Sequence, residues 1–315
     1  MFACAIAPLS MSAAHAEEWP AKPVRLVVPF SAGGATDLLG RALALELSKQ
    51  WKQPVLVDNR PGAGGMVGAE AVAKSAADGY TLLLASGSMF TVNPFIYQKM
   101  PYSAESFEMI TKVASGPMVV TVNSQVPAKN LQELISYAKA NPRKLSFGSA
   151  GNGSQVHMAS EAFADASGID IVHVPYKGEG PAYADLMAGV VDMTVGNINA
   201  ISPLLKGGRL RALAVTGKER SPLLADVPTV AEAGLSGFTF SGWFALMAPA
   251  GTPKALTAKM YADVERAVAE PGMQRYLTAQ GMTKTLSPAG KLGDEIAQES
   301  SRWKVLVGKR KISAN

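Results

Sequence analysis

The sequence predicts an α/β chain folded as two lobes, with a two-strand hinge and a cleft between them. Two matching stretches carry that expectation. From Val24 to Gln50 the chain reads VRLVVPF-SAGGAT-DLLGRALALELSKQ, and from Lys144 to Gly168 it reads KLSFGSA-GNGS-QVHMASEAFADASG. Each is an apolar strand, a Gly/Ser/Thr turn and a long amphipathic helix. Such a turn presents backbone N–H groups at the positive end of a helix, a ready site for an anion. A length of 315 residues, 48% hydrophobic and 17% charged, suits two globular cores and excludes a disordered chain.

Strand-like and helix-like runs alternate from Val24 onward. Val24–Pro29 is expected as a strand, and Thr36–Gln50 as a helix with an apolar stripe of Leu38, Leu39, Ala42, Leu43, Leu45 and Leu47. Strand Pro54–Val57, the turn Arg60–Gly65, helix Met66–Ser75 and strand Tyr80–Ala85 follow. These strand–helix steps imply parallel pairing with right-handed crossovers. Two strands, Glu108–Val113 and Met118–Val122, flank Ser115-Gly116-Pro117 and mark the crossing into the second lobe. Helix Leu131–Ala140 ends at Asn141-Pro142. Strands Leu145–Phe147, Ile171–Val174, Val191–Thr194 and Leu210–Val215 then alternate with helices Ser154–Ser167, Pro181–Ala188 and Ala200–Lys206. The return crossing is expected near Ser241–Ala248, before two closing helices, Pro253–Glu270 and Pro288–Leu306. The lobes are thus residues 17–118 plus 242–315, and residues 119–241.

Residues 1–16, MFACAIAPLSMSAAHA, are apolar and end in Ala14-His15-Ala16, an A-x-A cleavage pattern without a basic leader. They are expected to be a signal peptide cut after Ala16, truncated at its start, leaving a periplasmic chain. Cys4 is the sole cysteine, so the cleaved chain has no disulfide, thiol catalysis or Cys-ligated metal. The net charge of +5 comes without a basic run beyond Lys309-Arg310-Lys311, which excludes a nucleic-acid reading.

In Ser31-Ala32-Gly33-Gly34-Ala35-Thr36-Asp37, the glycines permit close approach of a ligand. Thr36 can cap the helix, and Asp37 offsets its dipole. In Gly148-Ser149-Ala150-Gly151-Asn152-Gly153-Ser154, Ser149 and Ser154 can donate to a carboxylate. His157 lies one turn on, where bonding to a backbone carbonyl under the loop is its expected role. With His15 removed, His157 and His173 are the only histidines, and no metal site is expected. No G-x-G-x-x-G, phosphate-binding loop or G-x-S-x-G nucleophile elbow is present. Ser86 and Ser88 form another polar rim. Ser86, Ser88, Met89, Phe90, Tyr176, Asn197 and Trp243 are candidates for the far end of a ligand.

In order along the chain, these motifs resemble one family. The matching pieces are Trp19-Pro20, Val28 through Asp37, Val57 through Gly65, Asp78 through Leu82, Ser149 through Ser154 with His157, and Val174 through Gly178. Arg211 through Val215, Asp226 through Gly234 and Ala248 through Pro253 complete the set. The whole mature chain resembles the Bug-type solute-binding proteins, the receptor component of tripartite tricarboxylate transporters. The resemblance implies a type II-like periplasmic binding protein fold that closes on a small carboxylate, needs no cofactor and passes its ligand to membrane transporter subunits. It also implies that residues 31–37 and 149–154 hold one carboxylate through backbone groups, hydroxyls and water, without a dedicated arginine. A monomer is expected. The competing readings are an enzyme acting on an acidic metabolite, with Asp37 or His157 as base, and a ligand sensor signalling to a membrane partner.

Overall fold

The computed structural model describes residues 19–314. The segment read as a signal peptide, with Cys4, lies outside the described residues.

Strands β1 (Val24–Val28), β2 (Val55–Asn59) and β3 (Thr81–Ser86) pair in parallel in the order β2-β1-β3. Their connections run through α1 (Ala35–Trp51) and α2 (Met66–Ala73), as strand–helix repeats require. On α1, Ala35, Leu39, Leu43, Leu47 and Trp51 form the buried row at four-residue spacing. Leu45, assigned to the apolar stripe from sequence, faces solvent because it lies off that row. Beyond β3 come α3 (Ser88–Thr91) and α4 (Asn93–Ile96), two single turns.

Strand β4 departs from the sequence expectation of two strands about a turn. It is one continuous strand, Phe107–Asn123. Its first part pairs with β9 (Ser241–Pro249), ending at Pro117↔Ser241; its second part pairs with β7 (Met193–Asn197), starting at Met118↔Asn197. Pro117, which lacks an N–H, sits where β4 changes partners, so Ser115-Gly116-Pro117 interrupts neither ladder. The second sheet has the order β6-β5-β7-β4-β8, with β5 (Ser146–Ser149), β6 (Val172–Pro175) and β8 (Leu210–Val215). Strand β9 runs antiparallel to β3 and returns the chain to the first sheet.

Each sheet is covered on both faces. On the first, α1, α9 (Lys254–Ala269) and α10 (Pro271–Ala279) cover one side, and α2, α3 and α11 (Ala289–Arg310) the other. On the second, α5 (Leu131–Ala140) and α6 (Gln155–Ser167) face α7 (Glu179–Ala188) and α8 (Ile198–Leu205) across the sheet. Met89, Phe90 and Trp243, candidates for lining the ligand from sequence, are core residues of the first sheet. The end of α11 docks on α6, where Arg310 Nε lies 2.8 Å from Glu161 Oε2 and Lys309 Nζ 2.8 Å from Asp165. A two-residue strand, β10 (Thr283–Lys284), pairs with β4.

Candidate functional site

The first turn leaves β1 and enters α1 at Ala35. Gly34 is the N-cap, with no side-chain cap, and Gly33 has φ +85°. Thr36, expected to cap, is instead inside the first turn and lines a cavity. Asp37 turns back into its own loop. It accepts from the Gly33 N–H, Arg41 Nε and Asn59 Nδ2, each at 3.0 Å. Burial pushes this carboxyl up, but Arg41, the Gly33 amide and Asn59 together outweigh it and hold it below the ordinary range.

The second turn joins β5 to α6. Gly151 and Gly153 have φ of +113° and +76°, and Ser154 caps α6 by accepting from the His157 N–H at 3.2 Å. His157 lies under the loop as expected, but its partner is an amide rather than a carbonyl. The Gly153 N–H donates to His157 Nδ1 at 3.0 Å, which places the ring proton on Nε2. The ring stacks on His173 at 3.8 Å between centroids. His173 Nε2 lies 2.6 Å from Ser149 Oγ, which accepts from the Gly151 N–H at 3.1 Å. Burial, followed by the His173 ring, holds His157 well below its usual value, and burial brings His173 down to about 4. Both rings are therefore neutral supports for the turn at pH 7. Ser88 is also buried, 3.4 Å from Ser86.

The two turns face each other across one cavity. Gly34, Thr36, Ser86, Ala150, Ser154 and Asn197 line it, and with them Phe30, Gln155, Val156, Glu179 and Phe244. Its volume is about 20 Å³, room for about one water. The walls touch: Ala35 N–H donates to Glu179 Oε2 at 2.5 Å, and Gln155 Nε2 donates to Ser86 Oγ at 2.5 Å and to the Trp243 carbonyl at 2.8 Å. Tyr97 Oη donates to the Asn152 carbonyl at 3.1 Å, and the Ser31 N–H reaches the Lys177 carbonyl at 3.4 Å. Gly178 and Gly180 allow this approach, since a Cβ at Gly178 would lie 2.0 Å from Ser31 Oγ and one at Gly180 2.8 Å from the Ala32 carbonyl oxygen. Outside lies a wider opening of about 480 Å³, lined by Gly64, Tyr97, Ala150, Gly151, Asn152 and Tyr176 among others. Tyr176 is held there by its hydroxyl bond to Asp185 at 2.7 Å.

No lysine or arginine lines the inner cavity. Among the described residues no group of His, Cys, Asp or Glu could hold a metal ion, and no helix is long and apolar enough to cross a membrane.

A family model described as the tripartite tricarboxylate transporter family receptor matches residues 39–312. The chain belongs to this receptor family. Solved relatives share its two-lobe fold. The R. palustris protein Rpa4515, solved with adipate, is 36% identical with a TM-score of 0.90, over 94% of this chain and 99% of that one. MatC from Rhodopseudomonas palustris, solved with bound malate, is 33% identical with a TM-score of 0.85, over 92% of this chain and 100% of that one. BugD, a periplasmic binding protein, is 32% identical with a TM-score of 0.89, over 94% and 99%. The fold is thus the two-lobe, type II-like one that the motifs implied, in a family of periplasmic binding proteins.

Sequence reasoning missed two polar residues of this receptor's cavity, Gln155 and Glu179. A signal for Glu179 was present. Lys177-Gly178-Glu179-Gly180-Pro181 is a third glycine turn between strand and helix, but α7 was expected to begin at Pro181, which left the acid in a loop.

Proposed function

We propose that this chain captures one small carboxylate in its cleft and delivers it to the membrane subunits of a tripartite transporter. The single observation that carries this reading is that the N-terminal turns of α1 and α6 line one cavity free of cationic side chains. Family membership supports the transporter partner, and the adipate and malate bound to two relatives support the ligand class.

On this reading the open form exposes both turns, the acid enters, and the lobes close by bending β4 and the link into β9. Residues 17–118 plus 242–315 form one lobe and 119–241 the other, because β4 leaves the first sheet at Pro117 and the chain rejoins it at Ser241. Each helix terminus contributes about 0.3–1 kcal/mol when exposed and up to about 2 when partly buried. With several charge-assisted hydrogen bonds, two termini can reach micromolar affinity, roughly −8 kcal/mol. Ser31 through Asp37 and Ser149 through Ser154 build the anion site; Ser86, Ser88, Tyr176 and Asn197 meet the rest of the ligand, and His157 supports the second turn. The protein binds without turnover, acts as a monomer in the periplasm, and loses residues 1–16 on export. The engagement of Asp37 and His157 in their own loops supports binding over catalysis, since neither is left as a free base.

A thermal-shift screen over aliphatic and aromatic mono- and dicarboxylates tests the reading. Ligand that binds only the folded form raises the melting temperature. A rise with at least one carboxylate, and recovery of that acid unchanged after incubation, is expected. No rise with any carboxylate, or conversion of the acid, refutes it.

A further inference from the structure

Glu179 is a buried carboxyl with no cationic partner among the described residues. It is the first residue of α7, is 5% exposed and lines the inner cavity beside Gly34, Thr36 and Ser154. Its carboxylate accepts from the Ala35 N–H and from Asn197 Nδ2, both uncharged donors. Among the described ion pairs none includes Glu179, and Lys177, the nearest cation along the chain, is exposed. The Tyr183 side chain lies beside the carboxylate and is itself uncharged. Burial pushes the Glu179 carboxyl up, with the Ala35 amide, Asn197 and Tyr183 acting against it. A carboxylate offers about four acceptor positions, more than these donors fill.

The cleft is therefore bipolar. The α6 turn, with Ser154 and the first amides of the helix, faces the cavity with donors and no acid. The opposite corner holds a carboxyl whose oxygens already accept from an α1 amide and from Asn197. A ligand carboxylate is welcome at the first corner and meets another carboxyl, with no cation beside it, at the second. Burial disfavours the ionised form of an unpaired carboxyl, and a cationic group on the ligand is the partner that holds Glu179 ionised.

We infer that Glu179 is a specificity-determining residue that selects zwitterions, small acids bearing a protonated nitrogen beside the carboxylate, over dicarboxylates of the same size. The inference rests on the carboxylate-receptor reading and narrows its substrate class. The ligand carboxylate goes to the α6 turn, and its nitrogen replaces the Ala35 N–H as a donor to Glu179.

Isothermal titration calorimetry of the full chain at pH 7.5 tests it with isosteric pairs. The panel takes α-amino acids against 2-hydroxy acids of the same skeleton, including aspartate against malate, and ω-amino acids against diacids of the same length, including 6-aminohexanoate against adipate. At least one amine-bearing acid is expected to bind wild type 100-fold or more tighter than its partner. In Glu179→Gln the same amine is expected to lose at least tenfold while the diacid or hydroxy acid gains. If in every pair wild type binds the diacid or hydroxy acid as tightly as the amine, the inference is overturned, and so it is if Glu179→Gln folds and leaves the ratio unchanged. The wild-type ratios decide the matter should the variant fail to fold. Failure of every carboxylate, of either class, to bind wild type is a different result, which removes the carboxylate-receptor reading and this inference with it.

Discussion

Cleft closure can be separated from loop geometry with a pair of glycines. Gly153 and Gly33 both have positive φ, +76° and +85°. Alanine in that region costs about 1–2 kcal/mol at either position, with or without ligand. What differs is the space around them. A Cβ at Gly153 would lie 2.2 Å from Asn93 Oδ1 and 2.6 Å from Ile96 Cδ1, whereas one at Gly33 meets nothing within 4 Å. Asn93 cannot simply swing aside, because it is fully buried and its Nδ2 donates to the Gly64 carbonyl at 3.1 Å. Asn93 and Ile96 belong to α4, which follows the first sheet, while Gly153 follows a strand of the second, so the clash exists only when the walls meet. Overpacking of this kind costs about 1–3 kcal/mol. At about 1.4 kcal/mol per tenfold, Gly153→Ala should weaken ligand binding by about 5- to 150-fold, and Gly33→Ala by less than about threefold. Both should lower the melting temperature similarly, by about 2–6 °C. Calorimetric titration with a ligand found by the thermal-shift screen, together with melting curves, reads both quantities. Equal losses of affinity in the two variants, or full affinity in Gly153→Ala, would show that closure does not seat the second turn against α4.

Tyr97→Phe removes the hydroxyl that donates to the Asn152 carbonyl across the cleft, a bond worth about 0.5–1.5 kcal/mol. Calorimetry should show binding weakened by about 2- to 10-fold with the melting temperature nearly unchanged. Urea unfolding should show stability falling as pH drops from about 6.5 to about 4. An unfolded histidine takes a proton near 6.5, while the folded His173 ring resists until about 4, so the stability present above 6.5 is lost through that window. The loss is of order 3 kcal/mol for His173, with His157 acting in the same direction, and His173→Gln should flatten the decline. Arg310→Ala leaves the largely buried Glu161 carboxylate without its cation and should cost about 2 kcal/mol of stability. Lys309→Ala breaks a more exposed pair with Asp165 and should change stability by less than about 0.5 kcal/mol by the same measurement.

Where local signals agreed with tertiary pairing, the sequence located elements closely. Helix α5 runs from Leu131 to Ala140 as expected, because Asn130 caps it, accepting from the Glu133 N–H, and Asn141-Pro142 ends it. Strand β8 also matches at both ends, from Leu210 to Val215. Reading failed where a distant partner overruled a local cue. Ser115-Gly116-Pro117 has the composition of a turn, yet β9 supplies a ladder through all three residues. Helix α10 is absent from the sequence reading, although Pro271 at the first helical position starts a new helix there. The site divides in the same way. The turns at Gly34 and Ser154 are local in sequence and could be found. Glu179 acquires its meaning only by meeting Ala35, 144 residues away.

The absence of a cation from the donor side of the cleft bears on release as well as capture. A guanidinium gripping a carboxylate in a dry cavity would make a bidentate, charge-assisted pair, and such pairs are roughly twice as strong per bond as neutral ones. Breaking it would leave one buried charge uncompensated until water returned. Amides at the starts of α1 and α6 behave differently. They are fixed by the helices, so they need little reorganisation to receive an anion, and once the walls part each can exchange the ligand for water. The Tyr97–Asn152 bond and the Gln155–Ser86 bond add closing energy that does not depend on the ligand's charge. On the donor side, affinity is therefore distributed between neutral donors and wall-to-wall contacts, and opening weakens both together. A receptor that must surrender its ligand at the membrane gains from that arrangement, because the motion that exposes the cavity also loosens the grip.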